Sequence, residues 1–151
     1  MQVQILHPVP MKFIMSSKDR GDQSVAMILA RLLESGYKVL LPFGDNGRYD
    51  LVVDRSGDFE RLQCKTGSIR NGCLHFNTAS ITTYGGKRIK KYYTRNEIDY
   101  FAVYSPDLQE TFIVPVEDAY GTLRLDVPKN NQTSGIKWAE DFKFDMFYKP
   151  G

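Results

Sequence analysis

Residues 48–65 read Arg48-Tyr-Asp50-Leu-Val-Val-Asp54, then Arg55-Ser-Gly-Asp58, then Phe59-Glu-Arg-Leu-Gln63-Cys64-Lys65, and the fold turns on this stretch. Runs rich in Val, Leu, Tyr and Phe flank Ser56-Gly57, a dipeptide that reverses a β-hairpin. With Asp54 facing Phe59 across that turn, Asp50 lies opposite Gln63 and Arg48 opposite Lys65. Opposed residues share a face and neighbours alternate, so Leu51, Val53, Leu62 and Cys64 form an apolar face. Asp50, Gln63 and Lys65 converge on the other, with Val52, Asp54, Phe59 and Arg61 nearer the turn.

A carboxylate, an amide oxygen and an ammonium on adjacent strands suit a hard cation held by oxygen ligands, with an amine beside its water. That arrangement suits phosphodiester hydrolysis. The same three side chains also suit an ordinary solvated hairpin face, and spacing alone leaves both readings open.

Charge distribution points the same way as the hairpin. From Arg61 to Asn96 there are eight basic residues (Arg61, Lys65, Arg70, Lys87, Arg88, Lys90, Lys91, Arg95) and no acid, although the whole chain carries a formal charge of only +2. A basic middle between acidic ends is the footprint of a polyanion binder, or simply of a solvated face. The 151 residues, 42% hydrophobic, are enough for one domain with a core, spanning 1–151 with its central part over 18–116. Cys64 and Cys73 make neither a paired zinc spacing nor a disulfide framework, so a reducing cytoplasm is the expected setting. With no apolar run of membrane length and no secretory layout, no membrane partner is expected.

Around the hairpin the chain divides by its punctuation. Residues 1–17, with Pro8 and Pro10, read as an irregular lead-in or short edge strand. A helix is predicted over 18–35, capped by Ser17 or Asp19, with Val25, Ile28, Leu29, Leu32 and Leu33 at helical spacing and Gly36 as its stop. A strand over 37–41 follows, and Pro42 ends it. After a loop at 66–72 comes a strand over 73–78, where His75 reads as structural. Residues 80–95 interleave Thr, Tyr, Lys and Arg around Gly85-Gly86, predicting a flexible basic loop. Its Lys and Arg suit phosphates, and its Tyr and Thr suit phosphates or base edges. Strands over 97–104 and 110–116 and a short helix over 116–120 complete the predicted scaffold. The aromatic tail over 122–151 fits either a short helix near Trp138 to Phe142 or a surface that meets another copy.

Helix, strand, Gly47-Arg-Tyr-Asp50-Leu-Val-Val-Asp54 and Leu62-Gln63-Cys64-Lys65-Thr-Gly67 together resemble the core of the PD-(D/E)XK nuclease superfamily. The likeness runs over 20–115 and is greatest to the small branch that includes an intron-encoded bacterial homing endonuclease. It implies an αβββαβ restriction-endonuclease-like core, a mixed sheet flanked by helices, that cuts both strands of duplex DNA. It further implies Mg²⁺, replaceable by Mn²⁺ or Ca²⁺, held by Asp50, the Gln63 side chain and the Cys64 carbonyl, with Lys65 orienting or activating the water. A homotetramer is implied, with a dimer as the smaller alternative; the aromatic tail, which adds nothing to the likeness, is a candidate interface. Two departures stand out. Gln63 occupies the place of the usual acid, which removes one negative charge, and Val25 fills the position of a helix acid in relatives reading Lys-Gly-Asp-x-x-Glu. The candidate DNA contacts are Arg70, Asn71, Asn77, Lys87, Arg88, Lys90, Lys91, Tyr92, Tyr93 and Arg95. A restriction-type nuclease, a junction resolvase or a DNA-binding module with a decayed site are the competing expectations.

Overall fold

The computed structural model describes residues 15–126, 130–132 and 134–150, and the predicted lead-in over 1–14 lies outside them. Helix α1 (Ser17–Glu34) opens the described chain. Ser16 caps it rather than Ser17: its hydroxyl accepts from the Asp19 amide at 3.1 Å, and the Asp19 carboxylate accepts in return from the Ser16 amide. Asp19 therefore closes a capping box instead of starting the helix. At the other end Gly36 takes a φ of +87°, the left-handed turn that glycine adopts without steric cost.

The central sheet joins β1 (Lys38–Leu40), β2 (Leu51–Arg55), β3 (Asp58–Thr66), β8 (Tyr100–Ser105) and β9 (Glu110–Pro115) in that spatial order. Leu51 pairs with Leu62 and Asp54 with Phe59, so the hairpin has the register that its alternation requires. β3 and β8 are parallel and the other neighbours antiparallel, which makes the sheet mixed. Connecting two parallel strands takes a long crossover. Where the resemblance implies a helix, this chain uses β4 (Ser68–Arg70) and β5 (Cys73–His75), which β10 (Thr122–Arg124) from later in the chain extends to a small sheet, then a ribbon of β6 (Ala79–Tyr84) and β7 (Lys87–Tyr92), and one turn in which the Glu97 and Ile98 amides donate to the Thr94 carbonyl.

Both faces of the central sheet are covered. On one, Ile28 and Leu32 of α1 bury against Leu51, Val53, Leu62, Cys64 and Ala102. Leu33, predicted to share that stripe, is 55% exposed because it has rotated past the contact. On the other, Phe101, Val103, Phe112 and Val114 meet Leu74, Phe76 and Leu123 from the small sheet.

The aromatic tail belongs to this core. A 3₁₀ turn (Ala139–Phe142) and the one-turn helix α2 (Phe144–Phe147) bury Phe142, Phe144 and Tyr148, whose ring lies edge-on to Tyr37 at 5.1 Å. These rings are consumed within the chain, which leaves Met146 as the exposed large apolar residue of that segment. The short helix predicted after β9 is a 3₁₀ turn at Val116–Asp118.

Gly67, two residues beyond Lys65, is a point where the backbones crowd. A methyl group there would stand 2.6 Å from Leu74 Cδ1 and 3.1 Å from Val103 Cγ1, both deep in the core. Gly67→Ala is therefore expected to lower unfolding free energy by about 1–3 kcal/mol, as overpacking does, measured by urea denaturation. A variant as stable as the parent would show that the core yields at this point.

Candidate active site

β2 begins only at Leu51, paired with Leu62, although β3 runs on to Thr66. The Asp50 amide donates to the Leu62 carbonyl at 2.8 Å, and the Asp50 carboxylate then takes over the role of backbone, its Oδ2 accepting from the Cys64 amide at 2.9 Å. Within a strand, the amide and carbonyl of one residue point to the same side. The Cys64 carbonyl therefore faces the gap left by β2, beside Asp50. Burial raises the Asp50 carboxyl above its usual range even though the Cys64 amide and Lys65 favour its charged form. The Cys64 thiol belongs to the apolar core, and burial pushes it up as well.

Gln63 and Lys65 lie on the face opposite Cys64, in register with Phe101 and Val103 of β8. The Lys65 Nζ sits 5.0 Å from the centre of the Tyr93 ring, which is itself edge-on to Phe101 at 5.4 Å. Desolvation lowers the Lys65 pKa, Asp50 opposes that shift, and Arg48 adds to it. An amine with a lowered pKa spends more time neutral and is better able to take a proton from water.

A cleft of about 510 Å³ reaches Asp50 from the helix side, lined by Asp22, Val25 and Leu29 of α1, Leu41, Tyr49 and Asp50 among others. Val25 packs on the core and opens onto this cleft, so an acid at position 25 would point at Asp50 from α1. The buried Ser24 hydroxyl lies 2.6 Å from that of Thr66, which ties this part of α1 to the residue after Lys65.

The donor set suits a hard divalent cation. A half-buried carboxylate, an amide oxygen and a main-chain carbonyl are all oxygen ligands. Among the described residues no group of three His, Cys, Asp or Glu converges, so Asp50 is the one full negative charge of the set.

Arg48 is the residue that sequence reasoning placed but left without a role. Its guanidinium donates to Ser80 Oγ at 2.6 Å, the Tyr92 carbonyl at 3.0 Å, the Lys91 carbonyl at 3.3 Å and Glu97 Oε1 at 3.2 Å, while stacking 3.8 Å from the Tyr93 ring. This fan of bonds fixes the base of the ribbon above Lys65. The predicted register had already set Arg48 opposite Lys65, and that was the available signal.

The segment predicted to be a flexible loop is this ribbon. Ile81, Thr82, Thr83 and Ile89 are β-branched, and Gly85 and Gly86 both take positive φ, +56° and +77°, the pattern of a type I′ hairpin turn. Lys87, Arg88, Lys90, Lys91 and Tyr92 are exposed along it. Tyr93 is half-buried between Arg48 and Lys65. Arg70 and Asn71 are exposed at the end of β4, and Asn77 uses its Oδ1 to accept the Ala79 amide. Arg95 pairs with Glu117 at 3.0 Å, away from Lys65 and toward the turn end of β3. His75 contacts the Arg70 carbonyl and the Thr122 hydroxyl, a structural role.

A family model described as PD-(D/E)XK endonuclease matches residues 15–145, so the match includes the C-terminal segment beyond the 20–115 of the expected likeness. Among curated proteins none matches. Of solved structures, a bacterial homing endonuclease, I-Ssp6803I, superposes with a TM-score of 0.69 at 25% identity, covering 85% of this chain and 89% of that one. No helix among the described residues is long and apolar enough to cross a membrane. With its mixed sheet, the Asp50 carboxylate at the end of β2 and Gln63-Cys64-Lys65 on β3, the chain belongs to the PD-(D/E)XK endonuclease family.

Proposed function

We propose that this nuclease is a Mg²⁺-dependent, site-specific endonuclease of the homing type that cuts both strands of duplex DNA. The observation that carries the reading is the Asp50 carboxylate held on the Cys64 amide, on the strand edge where Lys65 lies beneath an exposed basic ribbon. Asp50, the Gln63 amide oxygen and the Cys64 carbonyl would hold the cation. When bound it would lower the pKa of water and offset charge on the phosphoryl oxygens. Lys65, desolvated and stacked under Tyr93, orients the attacking water and accepts its proton. The ribbon and Arg70 draw the phosphate backbone onto this face.

Cutting two antiparallel strands calls for two sites facing opposite ways, hence a symmetric oligomer. The likeness to the homing branch favours a homotetramer, with a dimer as the smaller form. With Phe142, Phe144 and Tyr148 buried in the core, the tail offers such an interface its exposed side chains, Met146 among them.

A second reading, a DNA-binding module with impaired cutting, draws on Gln63 and Val25, which leave the site short of two acids. Cleavage of a randomised linear duplex library separates the two. The parent is expected to cut at a defined site and Lys65→Ala to lose that cutting by about 100-fold or more. Gln63→Glu, and separately Val25→Glu, should reach half-maximal cutting at a lower Mg²⁺ concentration. Retained duplex binding with no cutting by any form would favour the impaired module, and preferential cutting of four-way junctions would favour a resolvase.

A further inference from the structure

The β6–β7 ribbon has two unlike faces. Ser80 pairs with Lys91, Thr82 with Ile89 and Tyr84 with Lys87, so these six side chains share one face. Ala79, Ile81, Thr83, Arg88, Lys90 and Tyr92 share the other, which is covered only at the ribbon's base, where Ala79 is buried. Continuing the alternation one step past β7 puts Tyr93 on the face of Ser80, where its ring lies over Lys65. Ser80 on that face takes the Arg48 bond, and Lys91 lies 3.4 Å from Glu97. The Ser80 face is therefore the inward one, directed along the surface that holds Lys65, and the Arg88 face is directed outward. Both strands are free of acids, and Thr82, Tyr84, Lys87 and Ile89 are all exposed.

We propose that the ribbon enters the major groove with Thr82, Tyr84, Lys87 and Ile89 against base edges, so that these four set the preferred sequence. Arg88 and Lys90, on the outward face, reach phosphates at the groove walls. The proposal rests on the nuclease reading for its placement of the cut at Lys65. A two-stranded ribbon fits the roughly 12 Å major groove and is too wide for the roughly 6 Å minor groove. The chemistry of the inward face suits that groove: Ile and Thr methyl groups meet thymine methyls, Lys donates to guanine N7 and O6, and hydroxyls serve either partner. At about 3.4 Å per residue, Ile89 stands about 14 Å along the strand from Tyr93, and Lys87 about 20 Å. With base pairs also about 3.4 Å apart, the positions read lie about four to six base pairs from the cut.

The test selects bound sequences from a randomised duplex library in the absence of Mg²⁺, so that binding is read without cutting. The forms compared are the parent, Thr82→Ala/Ile89→Ala, Lys87→Ala, and Arg88→Ala/Lys90→Ala. The inward-face variants are expected to lose about tenfold discrimination within one short block of adjacent base pairs. Arg88→Ala/Lys90→Ala is expected to weaken binding to all sequences alike and to flatten the salt dependence. The proposal is overturned if the inward-face variants keep the parental preference, if the outward-face variant relaxes it instead, or if the parent selects no sequence. A parent that selects a sequence but cuts none with Mg²⁺ sinks the nuclease reading, and loss of that selection on the inward face would still support the ribbon. A parent that cuts at one site while every ribbon variant keeps that preference sinks the ribbon proposal alone.

Discussion

Asp50→Asn is expected to abolish cleavage, by about 10³-fold or more, while leaving the protein at least as stable as the parent. Asparagine keeps an oxygen for the Cys64 amide, so the backbone hydrogen bond at the end of β2 survives. What disappears is a charge that burial disfavours. Because the folded carboxyl pKa is raised, the folded state holds that proton more tightly than the unfolded chain. The associated stability is present at acid pH, below the ordinary carboxylate range, and is lost as pH rises through the raised folded value. At neutral pH the parent therefore carries an unfavourable ionised Asp50 that the variant lacks. Thermal melts in chelator should show the variant equal or higher at pH 7 and the two converging in acid. A variant that unfolds more easily at pH 7 would mean that Asp50 serves the fold, and the assignment of its carboxylate to the site would lose its support.

Arg48→Ala is expected to lower cleavage by roughly 100-fold, chiefly through weaker DNA binding, while the central sheet stays folded. The substitution removes four hydrogen bonds and a stacking contact from the base of the ribbon, leaving Ser80 and the carbonyls of Lys91 and Tyr92 without that donor. Amide hydrogen exchange should quicken across 79–93 and remain slow in β3 and β8. Arg48→Lys should restore little, because an ammonium cannot reproduce a planar fork that also stacks on Tyr93. Parental exchange rates across the ribbon together with parental binding would remove Arg48 from the positioning role. Faster exchange with undiminished binding would separate the ribbon from DNA contact altogether.

How much was legible beforehand depended on whether the deciding interactions were local. Alternation of apolar residues on either side of Ser56-Gly57 fixed the hairpin register, because a slip by one residue would have turned Leu51, Val53 and Leu62 into solvent. The same alternation put Asp50, Gln63 and Lys65 in neighbouring positions. Helix α1 was legible from its 3.6-residue periodicity, within one residue of its true cap. The ribbon was not, since two glycines and many Lys and Thr resemble a loop in sequence. Only the pairing of Ile81 with Lys90 and Thr82 with Ile89, held by Arg48, makes it a sheet.

The sequence by itself determined the helix, the β2–β3 hairpin and the excess of positive charge over 61–96, all of which are set by residues close in the chain. Tertiary structure decided the rest. It sent the aromatic tail inward, because the core between α1 and the central sheet left apolar surface that Phe144 and Tyr148 could cover. It also replaced the crossover helix by strands, and it brought Tyr93 onto Lys65 and onto Arg48, 45 residues away in the chain. Such contacts depend on which surfaces meet after folding, and no local pattern in the sequence encodes them.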